Sequence, residues 1–128
     1  MRILLDTHAL LWWLFDDPKL SARARDCIRS PASDVYVSSA SAWEVATKLR
    51  LGKLPEAREA AEQLPALIRR ARFTPLPITL EHAHRAGNLP AAHRDPFDRM
   101  LAAQASLEGL SLVTLDPAFA LFDVQTLW

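Results

Sequence analysis

The sequence predicts an α/β fold, a single domain in which a mostly parallel sheet of about four to five strands is covered by helices on both faces. Three observations predict it. Short apolar runs that read as strands alternate with longer segments that read as helices, and the connections are short. The 128 residues are half apolar, enough for one sizeable core. No internal repeat, low-complexity tract or linker divides the chain, so residues 1–128 read as one domain.

Arg2-Ile3-Leu4-Leu5 is an apolar run ended by Asp6-Thr7, and reads as a buried strand. His8 to Phe15 reads as a helix broken by Asp16-Asp17-Pro18, and Ser21 to Arg29 as an amphipathic helix with Ser21 as N-cap. Val35-Tyr36-Val37 is the second strand. Ser38 to Ser41 offers several caps for a helix through Leu51, with Gly52 closing it. A charged helix is expected from Pro55 to Arg72, open to interruption at Pro65. Phe73 to Ile78 is a weak strand, spoiled by Pro75 and Pro77. Thr79 starts a short helix to Gly87. Asp95-Pro96 opens a helix to Glu108, with Pro at the first helical position and Gly109 at the end. Leu110 to Thr114 is a strand, Asp116-Pro117 starts a short helix, and Val124 to Leu127 is a final strand. The helix-rich stretch 55–90 reads as an excursion within the domain.

The bulk chemistry narrows the functional classes. Fifteen basic and fifteen acidic side chains give a formal net charge of zero, which argues against a polybasic coat for nucleic acid but not against a local grip on backbone. Arg99 is the last basic residue, so the tail with Glu108, Asp116 and Asp123 is acidic. Cys27 is the single cysteine and permits no internal disulfide, which fits a reducing compartment and a cytoplasmic protein. The N-terminus lacks a signal-peptide layout, and no apolar stretch is long enough to span a membrane.

The informative residues are acids. In open parallel sheets, ligands bind beyond the carboxyl ends of the strands. Asp6 follows the first strand and Asp116 follows the strand that ends at Thr114. Asp98 lies in the first turn of its helix, and Glu44 in the first turns of the helix after the second strand. All four can face one edge of the sheet. Carboxylates gathered there repel, at roughly 4 kcal/mol for a pair about 4 Å apart in a medium of intermediate polarity, and persist only with protons or cations. Mg²⁺ suits such oxygen donors and Mn²⁺ accepts them. Zinc suits them poorly, because Cys27 is alone and only His82 and His84 stand close together among the histidines. Each acid also has a plainer reading: Asp95, Asp98 and Asp116 as helix caps, and Glu44 as the partner of Lys48 one turn on.

At this point the residues resemble a family. Leu4-Leu5-Asp6-Thr7-His8-Ala9-Leu10-Leu11-Trp12 resembles the opening of PIN-domain proteins, and Ser38 to Lys48 with Trp43-Glu44 resembles their second acidic motif. Asp98-Arg99-Met100-Leu101-Ala102-Ala103-Gln104-Ala105 resembles the third, and Val113-Thr114-Leu115-Asp116-Pro117-Ala118-Phe119 the fourth. The four occur in the family's order over essentially the whole chain. Trp43-Glu44 and the run His93 to Arg99 resemble the VapC-type branch of toxin–antitoxin nucleases. The resemblance implies a Rossmann-like α/β/α fold, Mg²⁺ or Mn²⁺, endonucleolytic cutting of RNA, a homodimer and an inhibiting antitoxin.

The physical chemistry agrees with that activity. Asp6, Asp98 and Asp116 are expected to cradle the metal, with Glu44 a ligand directly or through water, and all four to be catalytic. Thr7 and Thr114 are candidates to hydrogen-bond the carboxylates. Lys48 and Arg99 are candidates to touch phosphate, or are plain surface charges and ion-pair partners. Trp12, Trp13, Trp43 and Trp128 read as core or subunit interface rather than as base-stacking groups. Three other classes compete. A haloacid-dehalogenase-type phosphotransferase usually has a second Asp two positions after the first, where this chain has His8. A response-regulator receiver needs a late lysine, and no lysine follows Lys53. The third is a catalytically inactive binding module.

Overall fold

A computed structural model describes residues 1–90 and 92–128. The strands are β1 (Arg2–Leu5), β2 (Asp34–Ser38), β3 (Thr74–Leu76), β4 (Ser111–Val113) and β5 (Thr126–Leu127). The helices are α1 (Thr7–Leu14), α2 (Ala22–Arg29), α3 (Ser39–Arg50), α4 (Arg58–Glu62), α5 (Leu64–Arg70), α6 (Leu80–Asn88) and α7 (Pro96–Glu108). Two 3-10 turns, Pro55–Ala57 and Pro117–Leu121, complete the described elements. The five strands form one sheet in the order β3-β2-β1-β4-β5, and every pairing is parallel.

The period of two along the strands distributes the core. Ile3 and Leu5 of β1, Val35 and Val37 of β2, and Val113 of β4 face one cluster, which they share with Ala9, Leu10, Ala24, Ile28, Val45 and Ile68. Leu4 and Leu112 point the other way, into a cluster with Leu101, Ala102, Ala105, Phe119 and Phe122. Both faces are therefore covered, as strands with apolar residues on both sides require. Ala102 and Ala105, both fully buried, let α7 lie close against the sheet.

The caps act where the sequence places them. Ser21 accepts from Ala24 N–H to start α2, and Asp95 accepts from Phe97 and Asp98 N–H to start α7. Gly109 closes α7 in the left-handed conformation, φ 66°. Three expectations change. The charged helix from Pro55 to Arg72 is a 3-10 turn and two short helices, because Pro65 has no N–H to give the preceding turn and its ring clashes with it. Of Phe73 to Ile78 only Thr74–Leu76 pairs, on an edge where Pro75 costs no ladder bond. Of Val124 to Leu127 only Thr126–Leu127 pairs. Among the described residues, no helix is long and apolar enough to cross a membrane.

The strand order positions the site. β1 lies in the middle of the sheet, with β2 on one side and β4 on the other. The chain leaves β1 through α1 and α2 toward β2, and returns to β4 through α7. The connections diverge at the carboxyl ends of β1 and β4 and open a crevice there.

Candidate active site at the carboxyl edge of the sheet

Asp6 is the first residue past β1. Its backbone stays extended, its N–H donates to Val113 C=O at 3.1 Å, and it is the N-cap of α1. One carboxylate oxygen accepts from Ala9 N–H at 2.7 Å and the other from Thr114 Oγ1 at 2.5 Å. Only 6% of the residue is exposed. Burial pushes its carboxyl up to about 6, against the pull of the Thr114 and Ala9 donors, and the charge of Asp98 raises it further.

Asp98 enters from the first turn of α7. His93 Nε2 stands 2.8 Å from Asp98 Oδ2. Burial raises this carboxyl too; the His93 bond opposes the shift, and the charges of Asp95 and Glu44 reinforce it. Glu44, 3% exposed on α3, holds Lys48 Nζ at 2.5 Å one helical turn away. Asp98 is thus within electrostatic reach of both Glu44 and Asp6.

Asp116 follows β4. It caps the 3-10 turn Pro117–Leu121 through Ala118 N–H at 2.9 Å, and remains exposed. Its own N–H donates at 3.0 Å to the same Thr114 hydroxyl that donates to Asp6. Asp6 and Asp116 share the wall of an open cleft of about 330 Å³ with His8, Trp12, Leu115 and Pro117.

Of the eight residues singled out from sequence, the structure brings the four acids and Thr114 to one edge. Thr7 departs from expectation: its hydroxyl donates to Ser41 Oγ at 3.0 Å and ties α1 to α3, away from the carboxylates. Lys48 is the ion-pair partner of Glu44. Arg99 turns to backbone: its guanidinium donates to the carbonyls of Ala86, Gly87, Leu89 and His93. It fixes the segment that carries His93. His82 and His84 part company, His82 buried against Glu108 at 2.8 Å and His84 beside Asn88. Trp43 is 62% exposed, and so is no core residue. Sequence reasoning gave no role to His8, and used His93 only as the start of the run to Arg99. A histidine five residues before an acid at a helix start is the signal that could have singled out His93.

The donor set fits a hard cation. It offers carboxylate oxygens, one of them deeply buried and raised in pKa by that burial first and by the charge of Asp98 second, a cost that a cation relieves. Among the described residues, however, no three His, Cys, Asp or Glu side chains stand grouped closely enough to hold a metal ion.

Fold and site together define an α/β protein with carboxylates at the switch point of a parallel sheet. The family model described as the PIN domain matches residues 3–124, and the chain belongs to that family. Two proteins of Mycobacterium tuberculosis are similar in sequence. Ribonuclease VapC22 is 31% identical over 115 residues, covering 89% of this chain and 86% of that one. Ribonuclease VapC16 is 38% identical over 73 residues, 54% of this chain, and the match spans half of that protein's length. In fold, the chain resembles VapBC2 from Rickettsia felis bound to a DNA fragment from their promoter, with a TM-score of 0.74 at 16% identity over 100% of this chain and 99% of that one. FitAcB from Neisseria gonorrhoeae follows at 0.65 and 21%, over 100% and 97%. The family sets aside the phosphotransferase and receiver readings.

Proposed function

We propose that this PIN-domain protein, one working unit over residues 1–128, is an Mg²⁺- or Mn²⁺-dependent endoribonuclease and the toxin of a toxin–antitoxin pair. The observation that carries the reading is Asp6: a buried carboxylate at the sheet's switch point, oriented by Thr114, within electrostatic reach of Asp98 and sharing a cleft wall with Asp116. The naming of two similar proteins as ribonucleases supports it, as does the toxin–antitoxin setting of structures that share the fold.

Asp6, Asp98 and Asp116 would hold the ion, with Glu44 joining directly or through water. A bound divalent ion supplies charge neutralisation on the phosphoryl oxygens and lowers the pKa of a bound water. The chain's own residues prepare that setting. Thr114 and Ala9 N–H fix the Asp6 carboxylate in one rotamer. His93 steadies Asp98, and Lys48 keeps the buried Glu44 paired. The open cleft lined by His8, Trp12 and Leu115 would receive a strand of nucleic acid beside Asp116. One of these carboxylates would also orient the attacking water.

The remaining parts of the reading are an RNA substrate, a cognate antitoxin, a homodimer and action in the cytoplasm. Part of α1, with Trp12 and Trp13, or of α2 would lie under the partner; Phe15, 41% exposed at the end of α1, supports that placement. The deciding experiment is cleavage of single-stranded RNA with Mg²⁺ or Mn²⁺ by wild type and Asp6→Asn. Cleavage by the wild type alone supports the reading. Absence of cleavage by pure wild type, with RNA still bound, would instead mark an inactive PIN-fold module.

A further inference from the structure

Trp43 stands apart from the other three tryptophans. Trp12, Trp13 and Trp128 are half-buried and pack against the core, whereas Trp43 is 62% exposed. An indole that water surrounds contributes little to folding, yet this one is not loose. Its ring meets Phe97 edge to face, with centroids 4.9 Å apart and planes at 76°, an arrangement that favours a fixed ring plane.

The two rings come from the two segments that deliver acids. Trp43 immediately precedes Glu44 on α3, and Phe97 immediately precedes Asp98 on α7. Glu44 and Asp98 are close enough for the charge of one to raise the carboxyl of the other. An aromatic pair and an acid pair therefore both link α3 to α7, one residue apart on each helix.

Resting on the ribonuclease reading above, we propose that Trp43 is a stacking platform for a nucleobase of the single-stranded RNA held at the acids, with Phe97 as its brace. The charge pattern calls for such a group. The site is acidic, the chain has no net charge, and Lys48 and Arg99, the cations expected to hold phosphate, are engaged by Glu44 and by backbone carbonyls. Stacking holds a strand without adding charge and tolerates any base, since every base has a π face. A second copy of the chain is a poorer occupant. A two-fold contact centred on Trp43 would bring each copy's Glu44 and Asp98 toward the other's, adding repulsion between carboxylates.

The test compares wild type, Trp43→Ala and Trp43→Phe on a short fluorescein-labelled oligoribonucleotide with non-cleavable linkages, and on the same strand with abasic positions. Anisotropy gives affinity, indole quenching reports stacking, and sedimentation gives oligomeric state. Trp43→Ala should weaken binding of the intact strand about ten-fold, lose most of the quenching and leave the abasic strand unaffected; Trp43→Phe should recover most of the affinity. Equal affinity of Trp43→Ala and wild type overturns the platform while leaving metal-dependent cleavage, tested through Asp6, standing. An altered sedimentation coefficient in Trp43→Ala with affinity for the intact strand unchanged assigns the ring to a subunit interface and also overturns it. Failure of wild type to bind the strand at all overturns both readings.

Discussion

Thr114 donates its hydroxyl hydrogen to Asp6 across 108 residues of chain, and accepts the N–H of Asp116 on the same oxygen. One side chain at the end of β4 thus sets the positions of two acids. Thr114→Val keeps the shape and removes both bonds. We expect a loss of about 1.5–3 kcal/mol of stability in urea unfolding and a roughly 10–100-fold fall in cleavage rate. Thr114→Ser should restore most of both. A valine variant as active as wild type would show that Asp6 needs no such support.

Asp6 gives opposite pH trends for stability and activity. Its folded pKa, about 6, lies above its ordinary value of 3.8. The folded state therefore binds the proton more tightly, and the favourable contribution is full below pH 3.8. It is lost as pH rises through about 6, a change of about 3 kcal/mol in order of magnitude. Without divalent metal, Asp6→Asn should melt higher than wild type at pH 7.5 and flatten this dependence. At limiting Mg²⁺, wild-type cleavage should fall as pH drops below about 6, because the protonated acid is a poor ligand. Thermal melts and rates over the same pH series check both.

Metal addition should separate the acids from their plainer roles. Mg²⁺ or Mn²⁺ should raise the melting temperature of wild type by linkage, and much less in Asp6→Asn or Asp98→Asn. A shift of equal size in all three would place the ion elsewhere.

Asp95 and Asp98 begin the same helix but should respond differently. Asp95 accepts from two N–H groups of α7, so Asp95→Ala should cost about 0.5–2 kcal/mol and reduce activity less. Asp98 holds His93 and is raised by its acidic neighbours, so Asp98→Asn should abolish cleavage with little loss of stability. The reverse pattern in unfolding and cleavage assays would exchange their roles.

Arg99→Lys is expected to be costly despite the retained charge. A lysine ammonium cannot reproduce the fork that reaches Ala86, Gly87, Leu89 and His93. We expect a loss of about 1–3 kcal/mol, with cleavage lowered as His93 loses its fixed approach to Asp98. An unchanged melting curve would show that the carbonyl contacts contribute nothing.

The strands and capped helices were legible because their signals are local. Ile3 to Leu5, Leu112-Val113 and the Asp95-Pro96 start each carry their reading within a few residues, and the position of Asp6 and Asp116 after strands led to the sheet edge. What escaped depends on distant geometry. Thr7 and Thr114 look alike beside their acids, yet only Thr114 faces a carboxylate, since β4 lies next to β1 while Thr7 turns toward α3. The exposure of Trp43 was hidden because α3 mixes small, polar and apolar residues with no clear stripe. Arg99 reads as a phosphate contact beside Asp98, because backbone carbonyls gathered by a fold leave no mark in sequence.

The neighbourhood of β1 and β4 in the sheet sets a timetable for biosynthesis. Asp6 leaves the ribosome well before the strand and hydroxyl that orient it, which follow more than a hundred residues behind. A nascent chain that already carries Asp6, Glu44 and Asp98 still lacks β4, Thr114 and Asp116, so the acids exist before their arrangement does. Translation through β4 must be finished before the carboxylates can act together, which leaves a translating ribosome with an inert nascent chain.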